Sequence, residues 1–193
     1  MVTVGTVVTT GLSHSGSALQ AVDPTIVAET SGLTRAVLSF FLTVFFGGAV
    51  IYRYGDRLDD AVDASIDNPL LSVVYGIIAY GGVVFLFGYA YSQLARVGVE
   101  TGAIAVVAIP AFGGLVLLLG GAGFAVVGAW LASIADFRDP QTGLVAVSIA
   151  GGLGWLLLPD AFAVLTWLGI AAVGIGGPVR RWFHAESTRV EHD

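Results

Sequence analysis

Five long stretches without a charged side chain constrain this 193-residue chain more than any other feature. Residues 36–52, 68–95, 101–135, 140–159 and 161–179 contain no Asp, Glu, Lys or Arg. A hydrocarbon core of about 30 Å takes roughly 20 apolar helical residues to cross, so stretches of this length read as membrane spans. Charged residues are 11% of the chain and hydrophobic ones 56%. A soluble domain carries about 25% charged residues, so much of this apolar surface has to face lipid. The expected fold is all-α: a polytopic integral membrane helical bundle of four to five spans with an interfacial amphipathic helix.

The charged residues that remain narrow the class further. There is no lysine; eight arginines stand against fourteen acids. The balance argues against nucleic acid, whose phosphates demand basic patches. An acidic, lysine-free, Val/Ala/Gly-rich composition resembles that of extreme halophiles and points to a halophilic archaeal source, with GC-rich codon bias as the alternative. The chain has no cysteine, which excludes disulfides and thiolate metal sites. Residues 1–34 carry no Lys or Arg, which argues against a cleaved signal peptide and leaves the first span to serve as an uncleaved one.

Residues 1–32 read as a polar, disordered tail, residues 33–179 as the membrane domain and residues 180–193 as a polar C-terminal tail. Span one covers residues 33–54, with Ser31 or Thr34 as candidate caps. Arg35 and Arg53 bracket it, and their 18-residue separation corresponds to about 27 Å of helix. In residues 53–67, Tyr54, Leu58, Ala61, Val62 and Ile66 recur at helical spacing opposite Asp56, Asp59, Asp60, Asp63 and Asp67. That pattern is a short amphipathic helix at the membrane surface. Asn68-Pro69 ends it and opens span two, residues 69–94.

The 35-residue stretch 101–135 exceeds one simple span. Pro110 is expected to divide it into an interfacial or re-entrant piece, 102–109, and span three, 111–134. Residues 136–140 form a polar loop. Pro159-Asp160 then either turns a hairpin between two spans or leaves the last stretch re-entrant. Arginine placement favours the hairpin. With five spans, Arg35 and Arg96 share one side and Arg53, Arg57, Arg138, Arg180, Arg181 and Arg189 the other; four spans divide them three against five. The positive-inside rule then puts the N-terminus outside and the amphipathic helix in the cytoplasm.

Few residues carry chemistry. Asp59, Asp60 and Asp63 spell DDxxD, the spacing by which prenyl-diphosphate enzymes hold Mg²⁺, but no second acidic cluster accompanies it and a solvated helix face is the expected reading. Asp160 alone sits between long apolar stretches, where an ionisable residue suggests a proton or ion pathway. As a Pro-Asp pair it also reads as a turn and helix start, and with five spans it shares a side with Arg35 and Arg96, which leaves an ion pair open to it. His14, His184 and His192 read as exposed tail residues. No metal ligands, cofactor or catalytic residues are expected, and the chain reads as a non-enzyme. The 27 glycines suit close helix packing, with a homo-oligomer as the alternative use.

The order of motifs adds a resemblance. Asn68-Pro69-Leu70-Leu71-Ser72 leads through Tyr75 to Gly76. Ala108-Ile109-Pro110 precedes a Gly-rich span. Gly151, Gly152, Leu153, Gly154 and Trp155 lead to Leu158-Pro159, then Leu168-Gly169, Gly174 and Gly176. Over residues 33–181 this resembles the multi-span membrane domain attached to bactofilin-type polymer-forming proteins. The family's β-helical domain has no counterpart within these residues. The resemblance implies a membrane-anchoring or scaffolding module with a cytoplasmic or polymer-forming partner, and no catalytic residues. The alternative function is a small ion or solute transporter or channel, prompted by Pro110 and Pro159-Asp160 as candidate helix breaks.

Overall fold

All five charge-free stretches are helical in the computed structural model, which describes residues 31–96, 101–136 and 139–185. The order is α1 (Gly32–Tyr54), a 3₁₀ turn (Gly55–Arg57), α2 (Leu58–Ile66), α3 (Pro69–Arg96), α4 (Thr101–Ile134), α5 (Pro140–Leu157) and α6 (Asp160–Ala185). Among the described residues there is no strand. Five helices are long and apolar enough to cross a membrane: α1, α3, α4, α5 and α6. The tail at residues 1–30 and the loop arginine Arg138 lie outside the described residues, as do His14, His192 and Arg189.

The helix ends follow local chemistry. Asp67 donates its backbone N–H to Asp63 and closes α2, and Pro69 opens α3 at a position whose N–H needs no partner. Asp136 takes a left-handed φ of 56° just after α4, a conformation Asp tolerates at a helix C-terminus. The Asp139 carboxylate accepts from the Gln141 N–H at 3.0 Å and caps α5 ahead of Pro140. Leu158 is extended, φ −109° and ψ 149°, as steric conflict with the following proline requires. Pro159 and Asp160 therefore turn a hairpin, and the arrangement has five long helices.

Pro110 does not divide its stretch. α4 runs unbroken through it over 34 residues, about 51 Å at 1.5 Å per residue. Along α4 and α6, Gly120 faces Trp167 and Gly123 faces Ala171, so the two run parallel. Counting back from Gly120 and Trp167 brings Gly113 level with Asp160. Phe112 there stacks on Phe87 of α3 at 4.3 Å. Residue 110 thus lies beyond the level where α6 begins, near a membrane boundary, and one lost hydrogen bond leaves the helix intact.

Backbone-to-backbone approach sets the packing. α4 is the most enclosed long helix and touches all the others; Phe124 and Ala125 are fully buried. A Cβ on Gly123 would meet the backbone of Ala171, and one on Gly128 the backbone of Gly143 and Leu144. Helices in lipid have no hydrophobic force between them, so such close contact supplies the attraction. Helices α1, α4 and α6 run one way and α3 and α5 the other, as Gly47–Leu144, Gly152–Phe40 and Gly76–Ala172 show. One end of the bundle therefore carries Arg35 and Asp160, and the other carries Arg53, Arg57, α2, Arg180 and Arg181.

Helix α6 continues through Pro178 to Ala185, so the boundary expected at residue 179 falls inside a helix. His184 is part of its last turn, beside the Tyr75 ring, rather than in a free tail.

Candidate functional site

The most elaborated polar structure is the junction of α2 with α6. Helix α2 buries Leu58, Val62, Ala64 and Ser65. Tyr54 and Ile66, expected on the apolar face, are exposed at 52% and 42%. Ala64 and Ser65 are buried because Gly177 lets α6 reach the α2 backbone beside them. A Cβ on Gly177 would collide with the backbone N of Ser65.

The last carbonyls of a helix lack partners inside it, and here other elements supply them. Arg180 Nη2 donates to the Ala64 carbonyl at 3.0 Å. Ser72 Oγ, from α3, donates to the Ser65 carbonyl at 3.1 Å. Ser65 Oγ shares its hydrogen between the Ala61 carbonyl at 2.9 Å and the Gly174 carbonyl at 3.2 Å. Arg181 Nη1 reaches the Asp60 carbonyl at 2.8 Å, and Arg180 lies 3.8 Å from the Asp67 carboxylate. The two arginines bind mainly backbone carbonyls, leaving most of the acidic side chains on α2 free to face outward.

Asp59, Asp60 and Asp63 all stand on that exposed face, with Asp56 just before them. Among the described residues no three His, Asp or Glu side chains converge in metal-binding geometry. The structure does not bring Asp160 near them. Asp160 opens α6 at the opposite end, where its carboxylate meets Arg35 Nη1 at 2.6 Å. It follows Pro159 in the turn that opens α6, and its side chain is 64% exposed. Neither proline breaks a helix halfway across the bundle, which removes the reason for suspecting an ion site at Pro110 or Pro159.

Sequence reading missed a second polar group, half-way along the helices. Thr43 is the midpoint of α1 and is 3% exposed; Trp167 Nε1 of α6 donates to its Oγ1 at 3.4 Å. The Tyr80 ring of α3 lies edge-on to Trp167, and its hydroxyl is buried with no partner among the described residues. Ser148 of α5 is likewise buried and unpartnered. It lies one turn from Leu144 and from Gly152, which touch α1, so it faces α1 near Thr43. A lone Thr, Ser, Tyr or Trp in an apolar stretch gives no signal of this convergence.

These features define a membrane-embedded α-helical bundle with a docked acidic helix at one end. No protein-family model matches the chain, and neither a curated protein nor a solved structure matches it.

Proposed function

We propose that the chain is a non-enzymatic membrane anchor or scaffold that holds an acidic helix at one face of the membrane for a protein partner. The supporting observation is the docking of α2. Ser72, Arg180 and Arg181 tie its backbone to α3 and α6 and its own Ser65 bonds the Gly174 carbonyl of α6, while Asp59, Asp60 and Asp63 stay exposed. A helix held this way offers a fixed array of carboxylates with little ordering entropy left to lose on binding. The bias of arginine toward that end supports a cytoplasmic location for it. The resemblance to the membrane domain of bactofilin-type proteins supports a cytoplasmic or polymer-forming partner, and the exposed carboxylates suit one that presents basic groups. Cross-linking in native membranes tests this. A partner captured by the parent and lost in a D59N/D60N/D63N variant that inserts normally supports the reading, and identical recovery from both removes it.

A second reading, a small ion or solute transporter, rests on the buried hydroxyls of Tyr80 and Ser148 beside Thr43 and Trp167. Polar groups at membrane depth often mark a pathway. Purified protein in proteoliposomes that moves no ion, proton or small solute would eliminate it.

A further inference from the structure

We infer that Arg53 and Arg57 form a binding site for the phosphodiester of an anionic phospholipid headgroup. The two arginines, with Tyr54 and Asp56, line a polar concavity of about 350 Å³ at the end of α1. Both are exposed. Of the other described arginines, Arg35 pairs with Asp160 and Arg180 and Arg181 bond α2, and Arg96 lies at the opposite end of the bundle. Among the described residues, Arg53 and Arg57 have neither an ion pair nor a hydrogen-bond partner.

Position identifies the ligand as a lipid. Phe41, Phe45 and Tyr52, on the approach to the site, are 63%, 70% and 91% exposed, as lipid-facing side chains are. Arg53 is separated from Arg35 by about 27 Å of helix, the thickness of a bilayer core, which puts it at the headgroup layer. Chemistry identifies the group. A guanidinium presents a planar fork of donors that fits phosphate oxygens two at a time. Arg53 lies over the Tyr54 ring, 5.4 Å from its centroid, which restricts its swing. Asp56 reduces the lining to one net positive charge, which suits a singly charged phosphodiester better than doubly charged free phosphate. The site is separate from the acidic face to which a protein partner is assigned, so its failure would leave that reading standing.

Delipidated protein in neutral detergent, titrated with phosphatidylglycerol, phosphatidylcholine or inorganic phosphate and read by native mass spectrometry, tests the site. The parent should prefer phosphatidylglycerol to phosphatidylcholine. R53Q/R57Q should bind phosphatidylglycerol about tenfold more weakly, the scale of one lost charge-assisted contact, and lose the preference. R53K/R57K, which keeps the charge without the fork, should recover part of the affinity. Arg96→Gln, at the other end of α3, should bind as the parent does. Equal binding by parent and R53Q/R57Q overturns the assignment. Displacement of the lipid by inorganic phosphate at equal concentration overturns the headgroup as its source.

Discussion

The guanidinium of Arg35, in the first turn of α1, meets the carboxylate of Asp160, the first residue of α6, at 2.6 Å. This contact joins two parallel helices at one end of the bundle across 125 residues of chain. Asp160 also stands at a helix N-terminus, where a negative charge is favourable. Arg35 is only 18% exposed, and its guanidinium lies 5.8 Å from the centroid of the Trp155 ring on α5. Three helices thus meet at one arginine.

Asp160→Asn is expected to lower stability by about 0.5 kcal/mol, the scale for an ion pair open to solvent. Thermal unfolding in detergent micelles, with a double-mutant cycle against Arg35→Gln, measures it. The coupling should shrink as salt is raised, because an exposed pair is screened. If the chain moves ions at all, this variant should move them at the parent's rate.

Gly128→Ala should destabilise by about 1–3 kcal/mol, since its Cβ would meet the Leu144 backbone and an overpacked contact cannot relax around main chain. Gly82→Ala on α3 has nothing within 4 Å of the new methyl. There the helix preference for Ala should add up to about 1 kcal/mol. Paired unfolding measurements should therefore show opposite signs for two identical substitutions.

Ser65→Ala removes the hydroxyl that bonds Gly174, and Arg180→Gln weakens the bond to Ala64. Each should loosen α2 by about 1 kcal/mol. Hydrogen exchange of the amides in residues 58–66 should quicken roughly fivefold, while those of α4 and α5 stay protected. Equal acceleration throughout would mean that α2 is part of the global folding unit rather than a docked element.

Tyr80→Phe deletes a buried hydroxyl that has no partner. Relieving an unsatisfied polar group should raise stability by about 1 kcal/mol. A rise in unfolding temperature with no functional loss would mark Tyr80 as a packing residue. Loss of a measured flux would instead support the transporter reading.

The absence of native cysteine makes topology directly measurable. Asp63→Cys, on α2, and Ala161→Cys, at the start of α6, lie at opposite ends of the bundle. A membrane-impermeant maleimide applied to one side should label one and spare the other. Labelling of both from the same side would contradict the five-span arrangement.

The sequence by itself determined the class and most helix ends, because both follow from local physics. A charge within a hydrocarbon layer is costly, so the charge-free stretches give the spans. Asn68-Pro69, Asp139-Pro140 and Pro159-Asp160 act through local sterics and capping and appear where the helices stop and start. The exposed carboxylate face of α2 was also legible, since Asp59, Asp60 and Asp63 share one side at helical spacing.

Tertiary structure decided what depends on a neighbour. Pro110 reads as a break until α3 and α6 place it near the membrane boundary. The burial of Ala64 and Ser65 on α2 was set by Gly177, more than a hundred residues away. Ser65, Thr43, Tyr80 and Ser148 are unremarkable in the sequence, and only the crossing of helices makes them partners or leaves them without one. Arg180 and Arg181 read as part of a polar tail but serve the carbonyls of α2. The physical reason is range: solvation and backbone sterics act within a few residues, whereas glycine-mediated contact and hydrogen bonding between helices are fixed only when the chain has packed.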